Sequence, residues 1–167
     1  MKTLLVIRHA KSDLSDNSLD DHERILNDKG IKACKLIANW ISEIDLNVDQ
    51  VITSSALRAK STSVEIFSNK NIIVEPELYL SSKEVLLKLV QNVDNAVNVL
   101  AVVAHVPGVK EFLNLICKGS RPDLKKVFKE KFPTAGVAVV YFTLSNWNEV
   151  SPKSGNLDAF ISPRLLL

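Results

Sequence analysis

Short β-branched runs alternate along this chain with longer segments of helical period, and that alternation points to an α/β layer fold with a largely parallel sheet. Residues 3–7 are continuously apolar, as a strand covered on both faces should be. Residues 50–53, 71–74, 97–104 and 135–144 read as further strands. Between them, 30–44 repeats apolar residues at Ile31, Cys34, Ala38 and Ile41, the stripe of an amphipathic helix. A second helix is expected over 56–67, with Ser54 and Ser55 as capping hydroxyls. Two more are expected over 84–90 and from Pro107 to about Cys117. A polar stretch over 11–28 is long for a strand-to-helix connection, and loops of that size are often functional. Residues 118–131 read as a basic connector, and a polar tail closes the chain. No repeat or linker breaks the pattern, so 1–167 is expected to be a single domain.

Composition removes several classes. Of 167 residues, 46% are apolar and 24% charged, and the net charge is +2, which excludes collagen, coiled coil and disordered tails. Cys34 and Cys117 fit no metal or redox spacing and read as reduced core thiols. The first apolar run stops at Arg8 and His9, too short for a secretion signal, and no stretch approaches the ~20 apolar residues of a membrane span. A soluble, cytoplasmic protein is expected, with no membrane partner. The connector holds Lys118, Arg121, Lys125, Lys126, Lys129 and Lys131 against Asp123 and Glu130, a local charge of +4. Nucleic-acid binders usually spread more positive charge over a face and add aromatic stacking. The connector therefore reads as a solvated face able to attract an anionic substrate or acidic partner, with no nucleic-acid partner expected.

Three polar clusters fall just beyond three expected strands: Arg8-His9, then Ser54-Ser55 with Arg58, then His105. Open parallel sheets bind ligands outside the carboxyl ends of their strands, so these distant residues are expected to share one crevice. Two arginines, two histidines and hydroxyls suit a phosphoryl group. Arginine stays protonated and offers a planar fork of donors. A neutral imidazole beside it can attack phosphorus once the arginines offset the phosphate charge. A second, protonated histidine can stabilise the equatorial oxygens. His22, among Asp20, Asp21 and Glu23, reads as solvated.

The opening Leu4-Leu5-Val6-Ile7-Arg8-His9-Ala10-Lys11-Ser12 resembles the start of the histidine phosphatases, the superfamily that includes phosphoglycerate mutases. The Ala after the Arg-His pair is that of the short SixA-like phosphohistidine phosphatase branch. Four more segments resemble that family in its order: 22–30 leading into the first helix, Ser54-Ser55-Ala56-Leu57-Arg58-Ala59 with Thr62, Glu75-Pro76-Glu77-Leu78, and Val103-Ala104-His105-Val106-Pro107-Gly108. Residues 132–136 and 160–164 extend the likeness to nearly the whole chain. Ile25 stands where the family usually has proline, and Ala104 where glycine often precedes the second histidine.

The resemblance implies a three-layer α/β/α sandwich with a mostly parallel central sheet, phosphoglycerate mutase-like. It implies that His9 is the nucleophile, that Arg8 and Arg58 hold the phosphate, and that His105 completes the pocket. Arg24, in the loop before the first helix, maps onto a further phosphate-binding arginine, with a salt bridge to Asp20 or Asp21 as its other reading. Glu77 is the nearest candidate for a general acid. The expected activity is metal-independent and cofactor-free removal of phosphate from phosphohistidine on a partner protein, such as a histidine phosphotransfer domain. Two rivals stand beside it: a small-molecule phosphomonoesterase, for which Glu77 would be needed, and a non-catalytic phosphate-binding signalling module.

Overall fold

Alternate residues of the first strand serve different cores, which is why its apolar run is unbroken. Leu4 and Val6 pack into one cluster and Leu5 and Ile7 into another, and all four are fully buried. The computed structural model describes residues 1–167 and contains strands β1 (Lys2–Arg8), β2 (Gln50–Ser54), β3 (Ile72–Glu75), β4 (Val99–Ala104), β5 (Cys117–Ser120), β6 (Val137–Phe142) and β7 (Gly155–Ile161). They form one sheet in the order β3-β2-β4-β1-β6-β7-β5. The β1–β4, β2–β4, β2–β3 and β5–β7 pairs are parallel, whereas β6 runs antiparallel to both of its neighbours.

Helices α1 (Asp28–Glu43) and α2 (Leu57–Ile66) cover one face, and α3 (Lys83–Gln91) and α4 (Gly108–Ile116) the other. The sandwich has three layers, as the resemblance implied. Cys34 of α1 and Cys117 of β5 are buried free thiols, each pushed up to about 12 by burial. No helix is long and apolar enough to cross a membrane.

Two stretches differ from expectation. The tail contains a strand, β7, because β6 offers it an antiparallel partner, with a register shift at Val139/Val140 that a local pattern does not encode. The basic connector begins with the edge strand β5 and continues as a 3₁₀ segment, Pro122–Phe128, which buries Val127.

The register places the polar clusters. Arg8 is level with Ala104, and Thr53 with Val103, so the residues that follow, His9, Ser54 and His105, emerge together at the carboxyl ends of three adjacent strands.

Candidate active site

The two imidazoles meet. His9 and His105 have ring centroids 5.2 Å apart and are 8% and 3% exposed. Arg58, carried on the first turn of α2, lies against both: its Nε donates toward His9 Nε2 at 3.4 Å, and its Nη2 is 3.5 Å from His105 Nδ1. Thr62, one turn further along α2, fixes that geometry. Its hydroxyl accepts from Ala10 N at 2.9 Å and donates to Arg58 O at 2.7 Å, tying the strand that carries His9 to the helix that carries Arg58.

These contacts determine which nitrogen carries each proton. A guanidinium only donates, so His9 Nε2 is a bare acceptor, and His9 Nδ1–H donates to the Ala10 carbonyl at 2.7 Å. The free lone pair of His9 therefore faces the shared site. By the same logic His105 accepts at Nδ1 and donates from Nε2 to Ser54 Oγ at 2.8 Å, a hydroxyl that also accepts from Ala56 N. Ser54 thus orients the second histidine and braces the turn before α2, but the expected hydroxyl cap is absent: the N-cap position is Ala56, because Ser54 ends β2 and its hydroxyl is engaged by His105 and Ala56 N.

Both imidazoles are neutral at pH 7. Burial first, then the positive charge of Arg58 and Arg8, lowers His9 to about 4, against the opposing pull of its bond to Ala10. Burial, then His9 and Arg58, lowers His105 to about 3. A protonated second histidine was expected; its desolvated position beside a guanidinium makes it neutral.

Arg8 donates from Nη1 to the Phe132 carbonyl at 2.8 Å, and its Nε is buried with no partner. Burial and the nearby Arg58 lower its pKa. The segment that receives it is held tightly: Ala135 N donates to both Arg8 O and His9 O, and Ala135 takes φ 57°, a left-handed conformation that costs a non-glycine residue about 1–2 kcal/mol.

The long loop contributes Asp21, which the sequence marks only as a salt-bridge partner for Arg24. Asp21 accepts from Arg58 through its main-chain oxygen at 2.6 Å and its Oδ2 at 3.0 Å, and Tyr79 Oη donates to the same Oδ2 at 2.5 Å. Tyr79, and then Arg58, hold the Asp21 carboxyl below the usual carboxylate range. Tyr79 also stacks edge-on against His105 and His22, with centroids 5.6 and 4.7 Å apart. His22 is not solvated as expected, since its Nε2 bonds Ser55 Oγ at 2.8 Å. Local spacing gave no signal for Asp21. Tyr79 lies one residue beyond the acidic segment Glu75-Pro76-Glu77-Leu78.

Arg24 is at the rim, 3.6 Å from Asp21 Oδ1 and about a third exposed, so the salt-bridge reading describes its contact. Glu77 does not join the group. It is exposed and lines a separate groove of about 970 Å³ with Gln50, Ile73, Val85 and Asn92. The Pro76–Leu78 turn buries Leu78 in the core and delivers Tyr79, not Glu77, to the histidines.

An Arg-His pair closing the first strand, with a second arginine from α2 and a second histidine following the neighbouring strand, sits on a sheet whose fold is shared with solved SixA structures. The chain superposes on a solved SixA structure from Nakamurella multipartitia with a TM-score of 0.82 at 22% identity, covering 97% of this chain and 96% of that one. A SixA protein histidine phosphatase solved with tungstate gives 0.79 at 24% identity, covering 99% of both. Rv1276c of Mycobacterium tuberculosis, itself uncharacterised, is 30% identical over 160 residues, 95% of this chain and the whole of the relative. The chain belongs to the same family as that mycobacterial protein. No protein-family model matches the sequence.

Proposed function

We propose that this protein removes the phosphoryl group from phosphohistidine on a partner protein through a phosphorylated His9. One observation carries the reading: the Nε2 lone pair of His9 faces Arg58 in a cup shared with His105. The phosphate oxygens would be held by Arg58 and by the buried, unpartnered Nε of Arg8. His9 Nε2 attacks phosphorus while the bond to the substrate's imidazole nitrogen breaks. That nitrogen leaves with the electron pair and takes a proton from solvent. Water then attacks the phosphoryl group, the N–P bond on His9 breaks, its electrons return to Nε2, and phosphate departs. The negative charge of the phosphoryl group offsets the burial and cationic repulsion that hold His105 neutral, so that it can donate to an equatorial oxygen. Arg8 and Arg58 supply the positive charge that a metal would otherwise bring, so excess chelator should leave turnover unchanged.

The choice of a phosphoramidate over a phosphoester rests on the acid. An alkoxide leaving group needs a proton donor. Glu77 is in another groove, and Asp21 is held ionised by Tyr79 and Arg58. An imidazole leaving group needs far less help. Of the SixA neighbours, one bears the name phosphohistidine phosphatase and the other protein histidine phosphatase, which favours the same substrate, and the tungstate in the latter favours an oxyanion in the cup.

The test is a substrate panel of phosphohistidine peptides and proteins against sugar and nucleotide phosphates, with ³²P trapping of the intermediate. Label on the protein should survive base and be lost in acid, and His9→Ala should abolish both label and turnover. Glu77→Gln should keep phosphohistidine turnover within about twofold, the range expected for an exposed residue away from the chemistry. His9→Ala with full activity would remove His9 as nucleophile, and a wild type with neither trapped label nor turnover would leave a phosphate-binding module.

A further inference from the structure

A second surface adjoins the cup. Between the start of α1, the Pro122–Phe128 segment, residues 130–134 and the chain end lies a groove of about 620 Å³. Its rim carries Lys11, Lys29, Lys126, Lys131 and Arg164, all exposed, against the single carboxylate Glu130. Its walls are apolar: Leu124, Val127, Pro133, Phe160 and Leu165 line it, and Leu165 is 65% exposed. In a chain of net charge +2, five cations around one groove are a local concentration, not a general trend.

The groove is fixed relative to the histidines by backbone. Phe132, between Lys131 and Pro133, accepts from Arg8 and stacks edge-on with Phe160 at 5.4 Å. Ala135 N bonds the carbonyls of Arg8 and His9. On the other side, α1 abuts the chain just after His9: a Cβ on Gly30 would lie 2.2 Å from Lys11 O. Only glycine allows that approach, which brings Lys29 beside Lys11.

We infer that this groove docks an acidic amphipathic helix of the protein that presents the phosphohistidine. An apolar seat ringed by cations matches a helix with aliphatic residues on one face and carboxylates flanking them. At physiological salt the field of such a rim reaches about 8 Å, enough to steer an acidic surface to the adjacent cup. The aliphatic walls favour such a helix over a nucleic acid, whose affinity comes mainly from phosphate contacts and base stacking.

The inference rests on a protein substrate, so docking is measured without turnover. The probe is a fluorescein-labelled helical peptide with leucine on one face and glutamate on the other, titrated with the full chain and followed by anisotropy. Saturable binding is expected. It should weaken about tenfold or more in the Lys126→Glu/Lys131→Glu/Arg164→Glu variant, weaken with added salt, and be unchanged in His9→Ala. The triple variant should keep its melting temperature and its hydrolysis of free phosphohistidine; the single Lys126→Glu and Arg164→Glu variants serve if it does not fold. Absence of saturable binding, equal binding by the charge-reversed chain, or tighter binding of a labelled single-stranded oligonucleotide would overturn the inference. Peptide binding without phosphohistidine hydrolysis would overturn the catalytic reading instead.

Discussion

Lowering the pH from 7 to 4 protonates His9 in the unfolded chain near its ordinary value of 6.5, long before the folded protein accepts that proton. In the fold, burial and the neighbouring guanidiniums hold His9 at about 4. Within that window the unfolded state binds more protons, so stability must fall as pH falls. Roughly two and a half pH units at about 1.4 kcal/mol each give about 3 kcal/mol from His9 alone, a large share of the 5–15 kcal/mol typical of a domain. His105 acts in the same direction, and because the rings touch, the two losses belong to the pair. Urea unfolding at pH 7, 6, 5 and 4 measures the loss. The His9→Gln variant should lose about 3 kcal/mol less than the wild type over the window, and the two lines should run parallel only below pH 4. A wild-type midpoint that stays flat between pH 7 and 4, or a His9→Gln line parallel to it, would refute the assignment of His9 as a buried neutral imidazole.

The same lowering should carry into catalysis: kcat/KM, corrected for the substrate's own ionisation, should keep its acid limb near pH 4, because the nucleophile is neutral above that value. Asp21→Asn should lower the inhibition constant for inorganic phosphate several-fold by removing a negative charge 3.0 Å from Arg58; a weaker phosphate interaction would show that the carboxylate chiefly positions the guanidinium. Gly30→Ala should cost about 1–3 kcal/mol in urea unfolding, since its Cβ meets the Lys11 carbonyl, and the displaced loop should lower turnover as well.

The elements legible beforehand were those whose burial follows a local period. The β1 run, the α1 stripe and the β4 run all lie within a residue or two of expectation, because each element buries the face its own sequence marks. β5, with the sequence Cys-Lys-Gly-Ser, has no such marking and exists by pairing with β7. At the site, Arg8, His9, Arg58 and His105 were chosen from strand ends and motif order, and parallel register brings them together. Glu77 and Tyr79 show the opposite case. They are two residues apart on one short turn, and the direction of that turn is set by burying Leu78.

The layer architecture and the identity of the arginines and histidines are readable from the chain, because periodicity and residue chemistry are local properties. Tertiary structure alone decided their protonation, the Asp21–Arg58–Tyr79 contacts, the separation of Glu77 and the basic groove beside the cup. Those depend on desolvation and on distances between residues far apart in the chain, and both arise only when the sheet and its helices close around them.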